Sequence, residues 1–148
     1  MKISLGADHR GFRYKEIIKT LLAEKGIEVK DFGTSSHDSV DYPDFGRKAA
    51  EAVVRKETDY GIIVCGSGNG MMMVANKVKG IRAGLALNPE MAELARAHND
   101  ANILVLSEMF TPEDLLSEIL NKFLNTNFEG GRHQRRVSKI NDYDEGRK

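Results

Sequence analysis

The sequence predicts an α/β protein, a three-layer αβα sandwich built on a five-stranded parallel Rossmann-like sheet. Two observations carry the prediction. Apolar runs of strand length alternate five times with segments whose apolar residues recur at helical spacing, and each strand runs into a polar or glycine-bearing turn. Strictly alternating strands and helices need right-handed crossovers, which make the sheet parallel, and ligands of such sheets bind at the carboxyl ends of the strands.

Taken in order, Lys2 to Ala7 reads as a buried strand ending at Asp8-His9-Arg10-Gly11. Tyr14, Ile17, Ile18, Leu21 and Leu22 then mark a helix that Gly26 stops. Ile27 to Phe32 is the second strand, followed by a polar loop from Gly33 to Asp41. Pro43 suits a first helical turn, and Phe45, Ala49, Ala52 and Val53 form the buried stripe of the second helix. The third strand ends at Cys65, and its helix is expected to end at Gly80 after Lys77 and Lys79. Arg82 to Leu87 is a fourth strand. Asn88-Pro89-Glu90 supplies a cap, a first-turn proline and a first-turn acid for a helix with the stripe Met91, Leu94, Ala95 and His98. Asn102 to Leu106 is the fifth strand, and Thr111-Pro112-Glu113 opens a fifth helix carrying Leu115, Leu116, Ile119, Leu120, Phe123 and Leu124.

The chemistry concentrates at Tyr60 to Gly70, Tyr-Gly-Ile-Ile-Val-Cys-Gly-Ser-Gly-Asn-Gly. An apolar strand runs into a loop with glycine at every second place and then a helix, so unshielded N–H groups and a helix dipole face one point, which favours an anion. The chain's only cysteine, Cys65, lies in that field. The dipole and donors are expected to lower its pKa from about 8.5. It reads as a nucleophile, a proton-transfer base or a redox group, or else as a small core hydrophobe. The spacing Gly66-x-Gly68-x-Gly70, with no acid within Gly84 to Asn88, departs from a dinucleotide fingerprint. Gly-Lys-Ser/Thr is absent, Cys65 stands at the first glycine position of a serine nucleophile elbow, and Met71 stands where a cysteine phosphatase would have arginine.

With 148 residues the chain suits one domain. Its 22 basic and 22 acidic side chains cancel, giving no global field for nucleic acid or an anionic membrane. No run suits a signal peptide or a membrane span, so a cytoplasmic location is expected. The histidines and the cysteine are scattered without metal-ligand spacing, and no metal or cofactor is expected.

Residues 126–148 form a C-terminal extension in which Arg132 and Arg136, on a helix, would share one face and could grip a phosphate. A solvated basic tail is the simpler reading. A nucleic-acid arm is disfavoured by the short cluster and the lack of interleaved aromatics. Asp8-His9 suits either a proton-transfer pair or a capping turn, and His98 either proton transfer or a structural helix end. His37 is expected at the surface, and Met71 to Met73 and Met91 as core filler.

Asp8-His9-Arg10-Gly11, Asp41-Tyr42-Pro43, Cys65 to Gly70, Ala75-Asn76-Lys77, Gly80-Ile81-Arg82-Ala83, His98-Asn99-Asp100-Ala101-Asn102 and Gly130-Gly131-Arg132-His133-Gln134-Arg135-Arg136, in this order, resemble the type B ribose-5-phosphate isomerases. That family also holds allose-6-phosphate and galactose-6-phosphate isomerases, and the likeness runs from Met1 to about Ile140. It implies metal-free interconversion of an aldose and a ketose phosphate through an enediolate. Cys65 would be the base, and Ser67 with the amides of Gly66, Gly68, Asn69 and Gly70 would hold the oxyanion. His98 would open the furanose ring with help from Asp8, Tyr42 and Asn99 would orient hydroxyls, and His9, Arg132 and Arg136 would hold the phosphate. The resemblance also implies sites shared between the subunits of a homodimer or a dimer of dimers.

Three positions depart from the family pattern. Ser67 stands where threonine is commoner, and Met71 occupies the place of the carboxylate base of a cysteine-less branch, which assigns this chain to the thiol branch. Met109 stands where many relatives carry a phosphate-binding arginine. The alternatives are a hexose-6-phosphate isomerase, or a non-catalytic phosphosugar-binding domain that would need no thiol.

Overall fold

Aliphatic residues alternate between the two faces of each central strand, so the sheet is apolar on both sides and takes a helical layer on each. A computed structural model describes residues 1–146. Its strands are β1 (Lys2–Ala7), β2 (Glu28–Asp31), β3 (Tyr60–Cys65), β4 (Ala83–Leu85) and β5 (Ile103–Ser107). Between and after them lie α1 (Phe12–Glu24), α2 (Tyr42–Val54), α3 (Asn69–Asn76), α4 (Pro89–Asn99), α5 (Leu116–Asn125) and α6 (Arg132–Asp144), with a 3-10 turn at Glu113–Leu115.

The five strands form one parallel sheet in the order β2-β1-β3-β5-β4, as the alternating pattern predicts. Ile3, Leu5, Ile62, Val64, Leu104 and Leu106 pack with α1, α4 and α5, while Ile63, Cys65, Ile103 and Val105 pack with α2 and α3. The chain leaves β1 towards β2 on one side and returns to β3 on the other. This order reversal opens a crevice at the carboxyl ends of β1 and β3, where α/β sheets bind ligands.

Several boundaries differ from the sequence reading for visible reasons. The third helix stops at Asn76, short of Gly80, because the Asn76 side chain turns outward to start β4. Its Nδ2 donates to the carbonyls of Met72 and Ala83, at 3.1 and 3.0 Å, and its Oδ1 accepts the Ala83 N–H at 2.9 Å. The predicted stripe of α4 is corrected as well. The Asn88 cap forms as expected, its Oδ1 accepting the Met91 N–H at 2.9 Å, but the buried face is Ala92, Ala95, Arg96 and Ala97. Small alanines let α4 approach the sheet and the bulky face of α5, which leaves Met91 and Leu94 outward. Met73 is likewise exposed and not core filler, whereas Met71 is fully buried.

Arg96 reaches inward from α4. It donates to Asp100 Oδ1 at 2.8 Å, the Ala101 carbonyl at 2.7 Å and the Tyr60 hydroxyl at 3.2 Å, so its buried charge is paired. The C-terminal extension forms α6, which buries only His133 and Val137, four residues apart, and leaves Arg132 and Arg136 exposed. No helix among the described residues is long and apolar enough to cross a membrane.

Candidate active site

Three segments meet at the carboxyl edge of β1 and β3. The first is the turn Asp8 to Gly11. Asp8 is 6 % exposed, and its Oδ1 accepts the N–H groups of Arg10 and Gly11, both at 3.0 Å, so that oxygen closes the turn ahead of α1, whose own cap, Gly11, supplies no side-chain hydrogen bond. Gly11 is required by close approach, since a Cβ there would lie 2.4 Å from the Val64 carbonyl oxygen. His9 Nδ1 accepts the Val40 N–H at 3.2 Å, which leaves Nε2 as the proton-bearing nitrogen of the neutral ring. The same bond ties the loop before α2 to the end of β1.

The second segment is the loop after β3. Gly68 caps α3 with φ +86°, a conformation that favours glycine, and any Cβ there would also meet Leu85 Cδ1 at 2.6 Å. The turn aims the Gly68 N–H at Cys65 Sγ, 3.2 Å away, with the amides of Met71 and Gly70 also directed at the sulfur. The Ser67 hydroxyl accepts the Asn69 N–H at 3.3 Å. Tyr42, the first residue of α2 and the third segment, lays its ring where a Gly70 side chain would be, its Cζ 2.6 Å from that Cβ position.

The direction of the Cys65 shift reverses the sequence expectation. Burial of the nearly inaccessible thiol is the largest influence and pushes its pKa up, the Asp8 charge adds to it, and the amides of Met71, Gly68 and Gly70 only partly offset them. Sequence shows the donors but not the depth at which the sulfur lies.

The last residue of β5 and those that follow it brace this loop, a role the sequence reading did not assign. Ser107 Oγ donates to the Gly66 carbonyl at 2.6 Å and accepts the Phe110 N–H at 3.1 Å. The Glu108 N–H donates to the Cys65 carbonyl at 3.1 Å and that of Met109 to the Gly66 carbonyl at 3.0 Å. The Cys65 and Gly66 carbonyls are thereby turned towards β5, while the amides of Gly68, Gly70 and Met71 face the Cys65 sulfur. A hydroxyl ending a buried strand is the one sequence feature that marks Ser107.

His98, Asn99, Arg132 and Arg136 lie elsewhere in the same chain. Helix α4 runs antiparallel to the strands, so its last residues sit at the amino edge of β4 and β5. Arg82 fixes them there, its Nε donating to the carbonyls of Asn99 and Asp100 at 3.2 and 3.0 Å, its Nη2 to Asp100 Oδ2 at 3.0 Å and its Nη1 to Asn141 of α6 at 3.1 Å. The structure thus collects Asp8, His9, Tyr42, Cys65, Gly66, Ser67, Gly68, Asn69 and Gly70 at one edge of the sheet, and His98, Asn99, Arg132 and Arg136 at the other.

At that second edge the rings of His98 and His133 stack, centroids 4.2 Å apart and 11° from parallel, with Glu129 Oε2 3.8 and 3.5 Å from their Nε2 atoms. One donor atom from each of the three lies within 4.8 Å of the others, a metal-type cluster that sequence spacing does not reveal. Burial is the largest influence lowering the His133 pKa, the charges of His98, Arg132 and Arg136 act the same way, and Glu129 opposes them.

The sequence profile of the ribose/galactose isomerase family matches residues 3–140. The chain is 43 % identical to ribose-5-phosphate isomerase B of Escherichia coli over 139 residues, which cover 94 % of this chain and 93 % of the relative. Ribose-5-phosphate isomerase B of Clostridium thermocellum superposes with a TM-score of 0.96 at 49 % identity, covering 99 % of each chain. The Mycoplasma genitalium ribose-5-phosphate isomerase B, solved with ribulose 5-phosphate bound, superposes with a TM-score of 0.92 at 43 % identity over 97 % of this chain and 96 % of that one.

Proposed function

Because the chain belongs to the ribose/galactose isomerase family, we propose that it is an aldose–ketose isomerase interconverting ribose 5-phosphate and ribulose 5-phosphate. The observation that carries the reading is a buried thiol under an amide-lined glycine loop, at the crevice where β1 and β3 part.

With the open-chain sugar in that crevice, the Cys65 thiolate takes the proton from C2, and the electrons move into a C1–C2 double bond to give an enediolate. The thiol then returns the proton to C1, while a proton moves between the two oxygens. Negative charge grows on oxygen, not sulfur. On this reading the N–H groups of the Gly66 to Gly70 loop, which lie beside the sulfur, and the Ser67 hydroxyl receive it, and such donors are typically worth about a hundred- to a thousandfold in rate. The raised thiol pKa fits a base: fewer thiolates are present, but each is a stronger acceptor for a carbon-bound proton. Asp8 keeps one carboxylate oxygen for its turn, and the other accepts the hydrogen bond of the anomeric hydroxyl as the ring opens. Tyr42, beside Gly70, faces the sugar hydroxyls.

Ring opening by His98, orientation by Asn99 and phosphate binding by Arg132 and Arg136 call for a second copy of the chain, because one chain carries these groups on the far edge of its sheet. We therefore propose a homodimer, alone or paired into a dimer of dimers, in which one copy supplies Cys65 and His9 and the other supplies His98 and the arginines. The exposed Tyr42, Met73, Met109 and Phe110 support coverage of the Cys65 edge by a partner. In this arrangement the described residues of the C-terminal extension, 126–146, are the part of the isomerase domain that reaches across to the neighbour's phosphate. Sugar phosphates do not cross membranes unaided, so the enzyme works where they are made, which we take to be the cytoplasm.

The test is conversion of ribose 5-phosphate to ribulose 5-phosphate without added metal, with Cys65→Ala beside the wild type. Turnover lost in the variant is the expected result. A folded wild-type protein that turns over allose 6-phosphate or galactose 6-phosphate instead would move the substrate to the hexose class, and one that binds phosphosugars without turnover would overturn the enzyme reading.

A further inference from the structure

The two arginines at the Cys65 edge differ in what they face. Arg13 is committed to carboxylates, its Nε to Glu108 Oε1 at 3.1 Å and its Nη1 to Glu113 Oε2 at 2.8 Å. Arg10 forms no ion pair with a carboxylate among the described residues, and its Nη1 instead approaches Met109 Sδ at 4.0 Å. A thioether is a weak acceptor, whereas a guanidinium is built to grip an oxyanion through paired N–H groups. The arginine is nonetheless held in place. Asp8 Oδ1 fixes its backbone N–H at 3.0 Å, and its stem lies over Gly66, with Cδ 3.1 Å from where a Cβ would stand. Lack of a side chain at Gly66 seats that stem against the loop that carries Cys65. His9, beside it, keeps its Nε2 proton free to donate.

We propose that Arg10 is the phosphate-binding arginine of the Cys65 half-site, gripping with His9 the dianion that Arg132 and Arg136 of the second copy hold from the other side. Met109 marks the reach of this group: the tips of the two side chains touch, so an arginine planted at 109 would bring its guanidinium to the same point. Only the identity of the phosphate's bearer rests on the isomerase reading; the anion site itself does not.

The experiment compares wild type, Arg10→Ala and the double variant Arg10→Ala/Met109→Arg in turnover of ribose 5-phosphate and in calorimetric binding of inorganic phosphate. Arg10 is exposed, so the thermal midpoint should hold. Loss of a charge-assisted pair predicts about a ten- to a hundredfold rise in KM and in the phosphate Kd for Arg10→Ala, with kcat within about threefold and most of the loss restored in the double variant. Unchanged KM and phosphate affinity in Arg10→Ala would overturn the proposal, as would a fall in kcat alone. If the wild type fails to turn over ribose 5-phosphate, the substrate reading fails, and the phosphate titration still decides the role of Arg10.

Discussion

Complementation between two inactive variants tests the proposed shared site directly. Strand β3 has six residues and runs from the His98 edge to Cys65. At about 3.3 Å per residue the two edges stand roughly 17 Å apart, far beyond the ~3 Å reach of a proton transfer, so Cys65 and His98 of one chain cannot serve one sugar. Cys65→Ala and His98→Ala should each lose about a hundredfold or more. In a heterodimer of the two, one site combines both defects, while the other pairs the intact Cys65 of one chain with the intact His98 of its neighbour. Co-expressed with different affinity tags, the purified heterodimer should recover about half of wild-type activity per dimer, and an unsorted equal mixture about a quarter. The assay is the rate of ketose formation, with mass spectrometry confirming the mixed species. A heterodimer no more active than its parents would refute the shared site, because groups acting within one chain cannot be rescued by mixing.

Other predictions follow from local geometry. Burial keeps the Cys65 thiol neutral to higher pH, so kcat/KM and the rate of thiol alkylation should both rise through the range above about 8.5; a rising limb complete below pH 7 would contradict the direction found here. Gly11→Ala would drive a Cβ to 2.4 Å from the Val64 oxygen and 2.6 Å from its carbon, backbone atoms that cannot swing away. A loss of roughly 3 kcal/mol or more is expected by urea denaturation, against about 1 kcal/mol for Gly26→Ala, which adds only positive-φ strain. Lys15, fully buried, lies 2.5 Å from Asp31 and 2.9 Å from Glu16. Burial alone would raise the Asp31 pKa, but Lys15, the Gly33 N–H and Lys19 together bring it below the ordinary value. That depression stabilises the fold above the unfolded carboxylate pKa near 3.9 and is lost as pH falls through the lower folded value. Acid unfolding should therefore steepen below about pH 4, and Lys15→Met should flatten this limb and cost about 1–3 kcal/mol at pH 7.

What the sequence made legible was local or periodic. The β1, β3 and β5 runs are apolar on both faces and announce a buried parallel sheet, and the glycine spacing after Cys65 announces amides free to face a ligand. Edge strands are harder to read: β2 and β4 are short, and their ends depend on partners further along the chain, such as Asn102, whose Oδ1 accepts the Arg82 N–H just before β4. The face of α4 was misread because hydrophobicity marks Met91 and Leu94, whereas packing against α5 selects by size and takes the alanines. The thiol's pKa direction was inaccessible for a related reason. The donors around Cys65 are encoded next to it, but its burial comes from Met71, Val105 and the helices laid over that face.

The division of the proposed site between two sheet edges follows from helix direction, and chain order alone implies it once the sheet is parallel. Any residue ending a strand lies at the carboxyl edge, and any residue ending a crossover helix lies at the amino edge. Asp8 and Cys65 belong to the first class and His98 to the second, so no packing of this chain on itself unites them. Arg82 strengthens the division: by binding the Asn99 and Asp100 carbonyls together with Asn141 it fixes the end of α4 and the body of α6 as one unit. On the proposed dimer, Arg82 is thus a positioning residue for the neighbour's site. Arg82→Lys, a point cation that cannot span these acceptors, should raise KM for the sugar phosphate and leave the alkylation rate of Cys65 unchanged. A variant that slowed alkylation by as much as it impaired turnover would show instead that Arg82 acts through general stability.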